Sequence, residues 1–248
     1  MQYLLKQGDC LELMKSIPDK SIDMILCDLP YGTTKNKWDS VIDLELLWQQ
    51  YERIIKDNGC ITLFAQQPFA SVLGYSNLKN LKYEWIWEKD NGTGFLNAKK
   101  MPLKIHENIL IFYKKPPTYN PQMRIGYKPY EQKSGRGSNN YGEQIRVITK
   151  NNGERYPIDI IKFKRDKEKL HPTQKPVALL EYLIKTYTNE NEVVLDNCMG
   201  SGSTGIACLN TNRKFIGFEL DEQNFEIAKN RLESWCSNQK EEQENITK

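Results

Sequence analysis

Short apolar runs bounded by turn or charge signals recur along the chain at Tyr3–Gly8, Ile22–Cys27, Cys60–Ala65, Tyr83–Glu88, Asn108–Tyr113, Glu192–Leu195 and Lys214–Leu220, and each reads as a strand. Helical patterns lie between them. Leu44, Leu47, Trp48, Tyr51 and Ile55 share one face of a helix expected over Leu44–Lys56, with Gly59 ending the turn. Leu179, Leu180, Leu183, Ile184 and Tyr187 mark a second helix behind Pro176, a residue suited to a first helical turn. A third runs from Glu222 to Trp235, with Asp221 as its expected N-cap. Strands alternating with helices predict an α/β domain on a sheet of parallel strands.

The stretch Pro116–Lys169 breaks this rhythm with glycines, prolines, tyrosines and basic residues, including SGRGSNNYGE. A structureless loop of that length is uncommon in a compact domain unless it is functional or mobile. It reads as an inserted recognition region of the same domain. The chain thus divides into 1–115, the insertion 116–169, a second half 170–236, and a polar tail 237–248 expected to be flexible.

Composition narrows the classes. A chain of 248 residues holds one large α/β domain with an insertion or two small domains, and 39% hydrophobic with 27% charged residues argues against disorder. No apolar run approaches the ~20 residues that span a bilayer, and the opening MQYLLKQGDC lacks the long apolar stretch of a secretory signal. Six scattered cysteines without a C-x-x-C, beside two histidines, make neither a zinc site nor a disulfide framework. No metal is expected, and the expected compartment is reducing and cytoplasmic.

Charge is uneven. Lys99–Lys169 carries 17 Lys and Arg against 7 Asp and Glu, whereas the remainder carries 18 against 25. A basic segment in an acidic body fits a localised polyanion contact, since each neutralised phosphate releases counterions; a solvated lysine-rich loop fits equally.

Glu192–Asp196 runs into NCMGSGSTG and then a helix. Gly200, Gly202 and Gly205 fit G-x-G-x-x-G, and Glu219 stands at the end of the next strand. Glycines let a backbone approach a nucleoside, and the acid accepts hydrogen bonds from ribose hydroxyls. The turn serves a nicotinamide dinucleotide or S-adenosylmethionine alike. Position favours the latter, because few strands remain after residue 192 and a dinucleotide fold normally begins with its glycine turn.

The buried-type strand Ile22–Cys27 ends in Asp28-Leu29-Pro30-Tyr31. An exocyclic base amine is a poor nucleophile because its lone pair is delocalised. Acceptors on its two N–H bonds, Asp28 and the Leu29 carbonyl, would aim that lone pair, while Tyr31 stacks on a base taken out of the duplex. An Asp-x-Pro turn that caps a strand accounts for the tetrapeptide equally well.

Together the two motifs resemble the β-class DNA amino-methyltransferases, which carry a D-P-P-Y or S-P-P-Y early and an F-x-G-x-G cofactor motif late. The resemblance implies a Rossmann-like seven-stranded S-adenosylmethionine methyltransferase fold with permuted motif order, Asp28, Leu29, Pro30 and Tyr31 being catalytic. It also implies cofactor contacts from Asp9 and Cys10 of Gly8-Asp9-Cys10, from Gln174 and Lys175 of His171-Pro172-Thr173-Gln174-Lys175-Pro176 near the methionine carboxylate, and from Glu219. Asp196, Cys198, Gly200, Gly202, Ser203 and Thr204 complete the expected cofactor set. Leu29 replaces a proline and Cys198 a phenylalanine of the family pattern. An acidic first residue favours adenine N6 over cytosine N4.

The expected reaction is in-line methyl transfer from S-adenosylmethionine to adenine N6 of duplex DNA. Alternatives are N4-cytosine methylation, an RNA amino-methyltransferase, an NAD-dependent dehydrogenase and a non-catalytic DNA-binding protein. Without a Pro-Cys dipeptide, no cysteine is an obvious C5-type nucleophile. Lys99, Lys100, Lys104, Arg124, Lys128, Arg136 and Arg146, interleaved with Tyr127, Tyr130 and Tyr141, are the expected DNA contacts. His106 reads as a core or hydrogen-bonded histidine, and the same applies to His171. By resemblance, a homodimer and a cognate restriction nuclease are expected partners, as in restriction-modification pairs; no membrane is.

Overall fold

The computed structural model describes residues 2–32, 41–133, 148–166 and 174–246, with side chains to 239. The main unit, 1–120 with 159–248, is built on one sheet. Its strands are β1 (Tyr3–Gln7), β2 (Ile22–Asp28), β3 (Ile55–Ala65), β4 (Leu81–Thr93), β5 (Lys104–Phe112), β8 (Ile160–Lys162), β9 (Val193–Asp196) and β10 (Lys214–Glu219). Its helices are α1 (Cys10–Met14), α2 (Leu44–Ile54), α3 (Phe69–Ser76), α4 (Val177–Tyr187), α5 (Ser203–Asn210) and α6 (Glu222–Ile246). The sheet runs β1-β10-β9-β2-β3-β5-β4-β8.

All seven expected strands are present, and four features differ from expectation. β5 lies antiparallel to both β3 and β4, so the sheet is mixed. An eighth strand, β8, adds parallel to β4 from within the stretch read as an insertion. α2 ends at Ile54, and Ile55 already pairs with Ile22, so Gly59 lies inside β3 instead of ending a helix. There a Cβ would stand 2.9 Å from the Asp23 carbonyl and 2.7 Å from the Ile55 side chain, beside a register shift in β2. Finally, α6 runs through the segment expected as a flexible tail, because SNQKEEQENI contains no Gly or Pro to stop it and is rich in helix formers. The Asp221 side chain accepts from the Asn224 N–H, as an N-cap does.

Two cores form because successive residues of a strand face opposite sides. Met24, Leu26, Cys60, Phe64, Trp85, Trp87, Ile109 and Ile111 pack with Leu179, Leu180, Leu183 and Ile184 of α4. Ile25, Cys27, Ile61, Leu63, Leu110 and Phe112 pack on the other face with Leu47, Trp48, Tyr51 and Ile54 of α2. The same alternation carries Asp28, at the end of β2, and Lys89 and Glu107, within β4 and β5, toward the α4 face.

Pro121–Ile158 forms a second compact unit, narrower than the expected insertion. Within it β6 (Tyr130–Lys133) pairs antiparallel with β7 (Ile148–Asn151), and Arg124 bridges Arg155. The Arg155 guanidinium stands 4.6 Å from the Tyr130 ring centroid, and both Arg124 and Arg155 stand 5.3 Å from that of Tyr127. Cation–π contacts of this kind order a segment that has little apolar core.

Candidate active site

A cavity of about 620 Å³ opens at the carboxyl ends of β1, β2, β9 and β10, the edge where α/β sheets hold ligands. Both motifs line it.

On one side lie the glycine turn and the ends of β1 and β10. Glu219 ends β10; its Oε2 accepts from the Gly200 N–H at 2.8 Å and its Oε1 from the Asp221 N–H at 2.9 Å. Burial pushes its carboxyl above the usual range. Gly200 has φ +53° and open space where a Cβ would stand, so its backbone is approachable. Gly202 has φ +76°, and a Cβ there would stand 3.0 Å from Ala228 and Leu232, so it lets the turn close on α6. Asp9 N-caps α1, accepting from the Leu11 N–H at 2.8 Å, and lines the cavity beside the buried Cys10.

Asp196, Ser203 and Thr204 also line the cavity, with their side chains engaged within the protein. Thr204 Oγ1 donates to Asp196 Oδ2 at 2.6 Å, and Asp196 Oδ1 accepts from the Cys198 N–H at 3.1 Å. Burial pushes the Asp196 carboxyl up to about 6. Ser203 Oγ accepts from Arg231 at 2.8 Å. These side chains brace the turn. Cys198 packs against Cys27, whose thiol burial pushes up to about 12. Gln174 donates to Asp166 Oδ2 at 3.1 Å.

On the other side stands Asp28, the last residue of β2. The Tyr31 hydroxyl donates to its Oδ1 at 2.5 Å, and the Tyr31 ring lies 5.2 Å from that of Phe69. The Leu29 side chain is buried, and Pro30 lines the cavity. Lys175 donates to Asp28 Oδ2 and stands 3.3 Å from Glu107 Oε2, an ion-pair contact outside hydrogen-bond alignment. Lys89 pairs with Glu107 Oε1 at 2.5 Å. Lys175, expected beside a cofactor carboxylate, thus has its ammonium between two carboxylates of the protein. Burial pushes Lys175 down, but Asp28 and Glu107 more than offset it and leave the ammonium above its ordinary range. Burial likewise pushes Glu107 up, and Lys175 with Lys89 more than offset that.

Sequence reasoning missed Lys89 and Glu107, together with Phe64 and Trp87 of the cavity wall. The available signal was a charge at an inward position of an otherwise apolar strand. His106, read as a core or hydrogen-bonded residue, is exposed on β5.

Lys99, Lys100 and Lys104 are exposed around a short 3-10 turn, Phe95–Asn97, that follows β4. Lys128 is exposed in the second unit, where Arg124 donates to the Tyr156 carbonyl at 3.0 Å. Arg136, Tyr141, Arg146 and His171 lie outside the described residues. Among the described residues no His, Cys, Asp and Glu cluster is arranged to hold a metal ion, and no helix is long and apolar enough to cross a membrane.

Comparison with known proteins identifies relatives of this chain. The profile of a DNA methylase family of the N6/N4 type matches residues 22–230. The type II methyltransferase M.HpaI of Haemophilus parainfluenzae is 29% identical over 94% of this chain and 75% of its own. The DNA adenine methyltransferase YhdJ of Escherichia coli K12 is 27% identical over 91% and 81%. The crystal structure of an M1.HpyAVI–SAM complex superposes with a TM-score of 0.64 at 28% identity, covering 93% of this chain and all of that one. PvuII DNA methyltransferase, cytosine-N4-specific, shares the fold with a TM-score of 0.69 at 15% identity, over 92% of this chain and 85% of that one.

Proposed function

The chain belongs to the N6/N4 DNA methylase family, and from that premise we propose that it methylates N6 of adenine in duplex DNA, on a base turned out of the helix. The observation that carries this reading is Asp28 at the end of β2, sharing one cavity with Glu219 and the Gly200 turn.

The cavity fits S-adenosylmethionine by its own chemistry. Gly200 leaves open the space that a Cβ would fill, and Glu219 is a buried acid able to accept from ribose hydroxyls. Asp9 and Cys10 line the same cavity, with Cys198 beside the turn. When bound, the cofactor supplies an electrophilic methyl group and a neutral thioether leaving group.

The protein's contribution is position and charge. Asp28 accepts one amine N–H and the Leu29 carbonyl the other, which frees the nitrogen lone pair toward the methyl. The new N–CH₃ bond leaves the nitrogen cationic, and the Asp28 carboxylate is the acceptor for the proton it sheds. Tyr31 presents a ring on which an extruded base stacks. Lys99, Lys100 and Lys104 of the main unit, and Arg124 and Lys128 of the second, take phosphates. An acid at the head of the tetrapeptide and the adenine-methylating relative YhdJ support adenine.

The test is methyl transfer from labelled S-adenosylmethionine to mixed-sequence duplex DNA and to structured RNA, with nucleoside analysis. N6-methyladenine from the duplex is the expected product. N4-methylcytosine would overturn the assignment of the base, and product on RNA alone would overturn DNA as substrate.

A further inference from the structure

We propose that Lys175, held by Glu107 and Lys89, is a positioning residue for methyl transfer: it orients the Asp28 carboxylate as the acceptor for the target amine. This rests on Asp28 being that acceptor.

Four charges of alternating sign form a line from four separate elements. Asp28 ends β2, Lys175 precedes α4, Glu107 lies in β5 and Lys89 in β4. The side chains of Lys89, Glu107 and Lys175 are 8%, 7% and 10% exposed. Strand alternation turns the three strand residues to one face, and the chain entering α4 brings Lys175 down onto them. Lys175 also stands 5.0 Å from the Phe64 ring centroid, and Lys89 stands 5.3 Å from that of Trp87. An aromatic face beneath each ammonium is a favourable wall.

Such a series is costly to bury, and apolar residues of similar volume would often serve stability as well or better. Its effect is local to Asp28. A carboxylate offers about four acceptor positions. Tyr31 occupies one on Oδ1 and Lys175 one on Oδ2, which leaves acceptor capacity on both oxygens for the amine. Glu107 fixes the lysine: its Oε2 makes no hydrogen bond among the described residues and faces the ammonium at 3.3 Å. Lys89 holds Glu107 from the far side, so the lysine is pulled in two directions and stays between them.

Without Lys175, Asp28 and Glu107 would face one another as like charges, which disfavours ionisation of the pair. A protonated Asp28 presents a donor where the amine requires an acceptor. Among the described residues, other charged or titratable groups around Asp28 include Tyr31 and Cys27 beside it and Asp196 on β9, with Lys89 and Arg165 also lining the cavity. Of the three cations, Lys175 is the one that touches Asp28.

The experiment measures kcat against pH, with S-adenosylmethionine affinity by calorimetry, for the full chain and its Lys175→Met, Glu107→Gln and Asp28→Asn variants. For Lys175→Met we expect cofactor affinity within about twofold of the parent and kcat at pH 7 down at least roughly tenfold. The acid limb of the kcat profile should also move to higher pH. In Glu107→Gln the limb should move the opposite way, because the ammonium then serves Asp28 alone; this readout stands even if Lys175→Met fails to fold. An acid limb unmoved in either folded variant would overturn the inference. So would a Lys175→Met variant that loses cofactor affinity with kcat intact, which would return Lys175 to the cofactor site. Near-normal transfer by Asp28→Asn would instead overturn the underlying assignment of Asp28.

Discussion

The Tyr31 hydroxyl donates to Oδ1 of Asp28 at 2.5 Å, closing the tetrapeptide into a loop across Leu29 and Pro30. One residue thereby offers two things, a hydroxyl that orients the acceptor and a ring that is available to a base. Burial first, then the Asp28 charge, push the Tyr31 hydroxyl well above its ordinary range, so it remains a donor throughout the working pH range.

Substitutions separate these roles. Tyr31→Phe keeps the ring, and its kcat/KM should fall by roughly 10- to 150-fold, the effect of one hydrogen bond to a charged group worth about 1.5–3 kcal/mol. Tyr31→Ala also loses base stacking, worth about 1–3 kcal/mol, and should fall by a further factor of roughly 5 to 150. Equal losses in both variants would assign the effect to the hydroxyl alone.

Glu219→Ala should weaken S-adenosylmethionine binding by about 1.5–3 kcal/mol, the range for hydrogen bonds to a charged group, while leaving duplex affinity unchanged in calorimetric titrations. Because burial raises the Glu219 carboxyl, its protonation on acidification begins at higher pH than for an ordinary glutamate. Cofactor affinity of the parent should therefore fall early as pH drops, and that early fall should vanish in the variant. Persistence of the fall would place the titrating group elsewhere.

Asp196 makes a pH prediction for stability. Its carboxyl is raised from 3.8 to about 6, so its favourable contribution is complete below about pH 4 and is lost as pH rises through about 6. The buried charge then costs on the order of 3 kcal/mol. Thr204 donates to this carboxylate, so Thr204→Val should destabilise by about 1.5–3 kcal/mol at pH 7.5 and by less at pH 4.5. Equal shifts in thermal midpoint at both pH values would mean that Asp196 is not ionised at pH 7.5.

Lys99→Ala and Lys100→Ala should each weaken binding to every duplex sequence alike and lower the slope of log affinity against log salt by about 0.9 per lost phosphate contact. A changed sequence preference with an unchanged slope would instead indicate base reading by these lysines.

The elements and the chemistry at their ends follow from local sequence. Ile22–Cys27 has the apolar continuity of a buried strand, and the carboxylate that follows must fall at its carboxyl end. Glycines before Ser203 mark a turn that side chains would obstruct, and the acid that follows ends β10 beside Gly200. These are local facts, set by period, by backbone freedom and by neighbours along the chain. Tertiary structure alone decided which strands are neighbours, and so reversed β5 between β3 and β4 and added β8 at the edge. It also decided what Lys175 touches. A lysine 147 residues from Asp28 carries no sequence sign of its partner. The pairing exists because α4 covers the face onto which strand alternation has already turned Asp28, Lys89 and Glu107.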